Sequence, residues 1–472
     1  ELGITGSVIN NQPILVASDD AAVNVATNAS LTIKTGFAST NGRHALNKRG
    51  AGTLSLDAAS SLRCLNVERG TVNLFDGANA DTVRFAGTGT KVYDSNSMGS
   101  YSTNSSTFVV PEKVSANFWM DPRCDYKGKL LGKGSFYVYA AGPRNTLSGD
   151  WSAFEGTVVA GQEQRSTYGP SFAWNNSYGL PKATLQVTSG TTFEAGSYSM
   201  SIGHVKGDGT INGTGTLTIG ALNEEMLKTS KLQITGARVR KVGSGIWNLA
   251  ATSAQASIGA VTIAGGELRL DDTSFKTLLL GKAGVTVTDS GLVQGRGKLQ
   301  AITVNGGTLA PGTYYGNHYG GIRTEGNVTL SKGRLELTIT NNRNLATSRS
   351  YLEVGGTLTL NDSVVVYLSD RYTPAVGDSI VLWTAGKFAG KPKVSLPTLP
   401  AGMMWDDSAL CGANGVLKIA VNTGIYGINA DGTSRRLIFT LDGKRVNDDL
   451  DNLPAGVYVV KENGRTYKVD KR

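Results

Sequence analysis

Cysteine, proline and histidine are all scarce in this chain of 472 residues, at three, twelve and three. Cys64, Cys124 and Cys411 lie far apart, and no CxxC or Cys/His spacing suits zinc. The three thiols read as isolated and packed, with a Cys64–Cys124 bridge as the alternative. Low proline beside 61 glycines excludes collagen-like and proline-rich disordered chains. No run of eighteen apolar residues exists, so no membrane-spanning helix is expected. Helical periodicity is nearly absent, and residues 221–228 form the best candidate for one short helix. A basic-then-apolar leader is missing as well. The expectation is a removed signal or a piece of something longer. Basic residues outnumber acidic ones by nine, but they are scattered singly rather than gathered in a stripe. That distribution argues against nucleic acid and for attraction to anionic glycan or a cell surface.

What the chain does have is a returning phrase. Lys48-Arg-Gly50-Ala-Gly52 and Lys241-Val-Gly243-Ser-Gly245 each precede alternating apolar residues. Gly265-Gly266, Gly306-Gly307 and Gly355-Gly356 open shorter versions. Each version joins a tight turn to a half-buried strand, because glycine admits positive φ and a two-residue period sends alternate side chains inward. One such unit cannot bury its apolar face, so the units must stack. The spacing predicts an all-β solenoid of parallel strands. With about 22 residues per unit and about 4.8 Å between units, the rod would be roughly 90 Å long.

Four zones follow. Residues 1–90 alternate cleanly, and residues 91–180 hold fifteen of the thirty-five aromatic residues. Residues 181–421 return to regular units, broken by a Gly/Tyr-rich loop with Tyr314, Tyr315 and Tyr319. Residues 422–472 carry more charge and an expected hairpin at 437–446, and they read as a small separate β-domain. The aromatic zone is the candidate ligand-binding surface, with Trp119, Tyr126, Tyr137, Trp151, Trp174 and Tyr178 as platforms for sugar rings.

Catalysis finds less support. A polygalacturonase-like reading would enlist Asp19-Asp20, Gly203-His204 and Arg238-Val-Arg-Lys241. Val205 follows His204 where that motif wants glycine, and Asp19 lies many units upstream. Asp271-Asp272 reads as a solvated turn or cap, and Asp406-Asp407 reads as structural. His44, His204 and His318 read as surface or turn histidines without a carboxylate or serine partner. The glycine clusters precede no helix that could bind phosphate. No catalytic residue, metal or cofactor is therefore expected.

Three motifs carry a resemblance. Gly149-Asp-Trp151-Ser-Ala-Phe154-Glu-Gly156-Thr157, Gly306-Gly-Thr-Leu309-Ala-Pro311-Gly312 and the segment from Leu396 to Ser408 with Asn414 to Ile419 resemble autotransporter-associated β-strand repeats. The resemblance covers residues 1–421 and implies a right-handed, single-stranded parallel β-helix of passenger type. Leu441-Asp-Gly443-Lys-Arg-Val446, Leu453-Pro454-Ala-Gly456-Val-Tyr458 and Tyr467-Lys468 resemble the sorting domain of the Bacteroidetes type IX secretion system. That likeness implies a small C-terminal β-sandwich over 422–472, with Gly443, Pro454, Gly456, Tyr458 and Lys468 as the sorting signal read by the secretion machinery. Together they imply a secreted protein at the outer-membrane surface, an adhesin or stalk whose partner is extracellular polysaccharide or a host surface. A β-helix lyase or hydrolase is the second reading, and a non-catalytic carbohydrate-binding accessory the third.

Overall fold

The computed structural model describes residues 1–40, 43–97, 100–140, 144–162, 171–226, 230–255, 257–281, 283–312, 320–340, 350–422, 437–446, 450–462 and 465–471. Strands account for 58% of the chain, and single-turn 3-10 segments at Ala251–Ser253 and Leu450–Asn452 are the only helical pieces described, so the protein is all-β. Residues 221–226 do not form the expected helix. Met226 instead bridges Trp247 in a neighbouring strand, and residues 227–229 lie outside the described set.

Up to Lys393–Ser395, the described strands pair in parallel with ones that come roughly a turn-strand unit later in the chain. Ser30–Ile33 pairs with Thr53–Leu56, that strand with Thr71–Phe75, and the ladder continues through Thr90–Ser95, Ser115–Met120, Ser135–Ala140 and Thr157–Gln162. A second, seven-stranded sheet runs from Leu2–Ile4 to Leu130–Gly132, and a third from Ser102–Asn104 to Gln233–Thr235. In-register pairing stacks like positions. Leu31, Leu54, Val72, Val92, Phe118, Val138 and Ala160 form one inward column. Their neighbours Thr32, Ser55, Asn73, Tyr93, Trp119 and Tyr139 form the adjoining outward column. A single buried apolar cluster extends from Ile4 to Ile419.

The glycine phrase supplies the corners. Gly50 has φ +71, and a Cβ there would run into the Val25 carbonyl; at Gly52 it would meet the Ala26 carbonyl. Only glycine lets the backbone of one unit sit this close to the unit beneath. The lysine of the phrase turns inward. Lys48 is fully buried and its Nζ donates to the carbonyls of Arg49, Gly50 and Arg69 at 3.0, 2.8 and 3.0 Å. Lys241 repeats the arrangement with Val242, Gly243 and Gly265 at 3.2, 3.0 and 2.8 Å. One ammonium, with three donors, thus satisfies carbonyls from two successive units. Burial lowers the pKa of each lysine to about 8.

Parallel pairing gives way near residue 380. Asn414–Val421 returns antiparallel along Ser379–Gly390 and along Met403–Asp406. Leu437–Thr440, Gly456–Glu462 and Arg465–Lys471 form a separate three-stranded antiparallel sheet around Ile438, Tyr458 and Val460. The expected hairpin is present, closed by the Val446 amide on the Ile438 carbonyl at 2.9 Å. Among the described residues this end carries one sheet, where the sequence predicts a two-sheet sandwich. The expected boundary at 421/422 adjoins residues 423–436, outside the described set.

Candidate functional site

Strand alternation divides the six expected aromatic platforms. Tyr126, Trp151 and Trp174 are interior, with exposures of 0, 0 and 1%. Tyr126 packs 4.5 Å from Phe108, and its hydroxyl donates to the Ser106 carbonyl at 2.7 Å. Trp151 meets Trp174 edge-on at 5.3 Å, and Trp174 lies 5.4 Å from Phe193. These three are core residues and drop out as a binding surface. Tyr126 occupies an inward strand position, and Trp151 packs between Phe136 and Trp174.

Trp119 and Tyr137 stay half-exposed on the outer face, and Tyr178 is exposed. Trp119 sits in a stack that the sequence did not single out. Tyr93 lies 4.9 Å from it and Tyr139 lies 4.7 Å from it, with interplanar angles of 9° and 17°. Those separations match the spacing between paired strands, so the rings lie flat on one another. Lys91 Nζ adds a cation 5.3 Å from the Trp119 ring centre. Self-stacking occupies both faces of Trp119 and leaves mainly ring edges to solvent. A sugar ring packs against an open aromatic face, and this ladder presents few.

A lateral cleft of about 560 Å3 lies elsewhere, in the regular part of the chain. The pairings Gln294 with Ala310 and Leu309 with Leu335 set Gln294, Ala310 and Glu336 side by side on the outer face. Ala310, Pro311 and Gly312 are short, so the ladder steps inward between longer neighbours. Tyr367, Asp370 and Arg371 complete the rim. Glu336 is held in place, receiving a hydrogen bond from Arg334 at 3.0 Å and one from the Tyr367 hydroxyl at 3.4 Å. Sequence reasoning missed the cleft because its walls come from strands far apart in the chain. The one legible signal was the small-residue phrase from Gly306 to Gly312. The tyrosines of the neighbouring loop, Tyr314, Tyr315 and Tyr319, lie outside the described residues, as does His318.

The residues weighed for catalysis are scattered. Asp19 accepts from Arg63 at 3.0 Å and from the Ala45 amide at 2.6 Å, and these bonds hold its carboxyl below the usual range. His44 therefore does have a carboxylate neighbour, with Nδ1 3.5 Å from Asp19. His204 is not a surface histidine: it is 4% exposed, and its Nε2 lies 3.6 Å from Glu224. Burial lowers its pKa. Asp272 is a cap, as expected, but a buried one, bonding the Ser274 amide at 2.9 Å and the Ser274 hydroxyl at 2.6 Å. Asp406 caps Ser408 in the same way.

Among the buried polar side chains described in residues 91–180, one is a carboxylate. Asp94 is fully buried, and neither carboxylate oxygen has a hydrogen-bond partner. Burial, reinforced by Asp121 and Asp125, raises its pKa to about 8. Nearby, Cys124 donates to the Asp94 carbonyl at 3.2 Å and accepts from Ser102 at 3.0 Å. Burial pushes that thiol up to about 12, which makes it a poor nucleophile. All three cysteines are free, so the Cys64–Cys124 bridge does not form. Among the described residues, no three His, Cys, Asp or Glu side chains form a metal-holding group. No described helix is long and apolar enough to cross a membrane.

The residues expected to form the sorting signal are placed as follows. Gly443 takes φ +82 in the hairpin turn, and Gly456 opens the middle strand. The Tyr458 hydroxyl bonds the Pro454 carbonyl at 2.8 Å, while Lys468 is exposed on the last strand. No protein-family model matches this chain, and no curated protein matches it.

Proposed function

We propose that residues 1–421 form a right-handed parallel β-helix that acts as a secreted, surface-displayed structural and adhesive rod for extracellular glycan or a host surface. The observation that carries this reading is a parallel ladder that runs to Lys393–Ser395 over one apolar core reaching from Ile4 to Ile419. Stacked units of that kind make a stiff body whose outer columns repeat polar and aromatic side chains at fixed spacing. The excess of basic residues adds attraction to anionic surfaces. In this reading residues 422–472 are the small C-terminal domain that delivers the rod through type IX secretion. Small-angle scattering of the intact chain, with a glycan array on the same sample, tests the proposal. The expected result is a rod roughly 90 Å long that retains glycan. A compact sphere, or a rod that retains none, would refute the corresponding half.

A second reading has one specific observation in its favour. Glu336, Asp370 and Arg371 share the lateral cleft, and two carboxylates beside a guanidinium are the parts from which a polysaccharide hydrolase or lyase is built. Release of reducing ends or unsaturated products from polysaccharide would favour the enzyme over the rod.

A further inference from the structure

We infer that the cleft above Ala310 is a binding site for a neutral oligosaccharide. The inference rests on the glycan-binding reading above and assigns it a place and a ligand class.

Shape comes first. The short residues Ala310, Pro311 and Gly312 interrupt an outer face otherwise built of longer side chains, leaving a trough of about 560 Å3. That volume lies within the roughly 300–1,000 Å3 typical of small-ligand sites. Its floor is partly apolar, from Ala310, Pro311 and Leu368, and suits the C–H face of a pyranose ring. Tyr367, 43% exposed at the rim, has no aromatic partner among the described residues of the kind that occupies Trp119.

Chemistry narrows the ligand. A carboxylate accepts two hydroxyl protons at once, a guanidinium donates in parallel, and glutamine does both. Glu336, Asp370, Arg371 and Gln294 therefore match a ligand made of hydroxyl groups that both donate and accept. The charges among the described residues argue against an acidic polymer. Two described carboxylates face one guanidinium in the lining, and Arg334, 3.0 Å from Glu336, brings that count near balance. A polyuronate would gain no net attraction there, whereas a neutral chain suffers no repulsion. Glu336 is fixed by Arg334 and Tyr367 before any ligand arrives, and it stands on a paired strand, so little ordering remains for binding to supply.

Calorimetric titration of the intact chain with neutral gluco-, manno- and galacto-oligosaccharides, and with trigalacturonate, tests the assignment. At least one neutral oligosaccharide is expected to bind, and trigalacturonate at least tenfold more weakly. Ala310→Phe, which fills the trough, and Asp370→Ala, on its exposed rim, are each expected to weaken binding at least tenfold. Trp119→Ala should leave it within twofold. Thermal unfolding of each variant identifies one that has lost its fold, and Asp370→Ala keeps the test open should Ala310→Phe do so. Neutral glycan bound equally by wild type, Ala310→Phe and Asp370→Ala would overturn the site and leave the glycan-binding reading standing. Preference for trigalacturonate would overturn the ligand class. No retention of any glycan by the intact chain would overturn both.

Discussion

Residues 91–180 and residues 285–368 build the same kind of parallel ladder and fill it with opposite chemistry. In the first, Phe108, Phe118, Phe136 and Trp151 interlock at ring separations between 5.0 and 6.0 Å, with the unpaired Asp94 enclosed nearby. In the second, the inward column is aliphatic, running Val287, Val304, Leu330 and Leu360 in register. The outer faces reverse the contrast. The aromatic stretch spends three of its outer rings, Tyr93, Trp119 and Tyr139, on each other, while the aliphatic stretch carries the cleft. Aromatic abundance therefore reports here on how an interior is filled. A surface able to hold a ligand arises instead where short side chains interrupt a regular column.

Four substitutions probe that contrast, beginning with the most damaging. Trp151→Ala should cost about 3–5 kcal/mol, the usual loss for emptying a large aromatic site in a core. Urea unfolding measures it, and a loss below about 1 kcal/mol would place Trp151 outside the core that distinguishes the first stretch. Lys241→Met tests the corners. The aliphatic stretch turns on Gly306-Gly307 without a lysine, whereas the Lys241 corner leaves three carbonyls orphaned once its donor is gone. A cost of about 2–3 kcal/mol is expected, and no change would show that water replaces the ammonium.

Asp94→Asn sharpens the contrast through pH. An ordinary aspartate titrates near 3.8, while the folded state holds Asp94 at about 8. Between those values the folded chain keeps a proton that the unfolded chain has released. The stability linked to this proton is full below about pH 4 and is lost as pH rises toward 8. Unfolding followed from pH 4 to 9 should show wild type falling relative to the asparagine variant. Parallel curves would mean that Asp94 is solvated or paired. The smallest effect is expected from Trp119→Ala, at about 0.5–1.5 kcal/mol, because an outer stack loses ring contacts without opening a cavity. A loss matching that of Trp151→Ala would erase the distinction between inner and outer aromatics.

Much of the architecture was legible in the residues. Period-two alternation in segments such as Thr71–Phe75 gave strands, and the positive-φ glycines gave corners. The helix expected at 221–228 failed because a parallel neighbour claims the backbone hydrogen bonds of Met226, an interaction that no local periodicity records. His204 escaped a surface position for a related reason. Its strand follows a register shift between Leu180 and Thr184, and four consecutive residues, Ile202 to Val205, are buried. The inward placement of Trp151 and Trp174 was hidden as well, because turn and short-strand residues take their phase from the unit they rest on.

The sequence by itself determined that this chain would be strands and glycine turns, since side-chain alternation and backbone freedom are local properties. Only the tertiary structure decided which aromatics face inward, which lysines clamp a corner and where a cleft opens. Those outcomes depend on the register between units well separated in the chain, as when Gln294, Ala310 and Glu336 come to lie side by side. That register is set by contacts between units, and no single unit contains it.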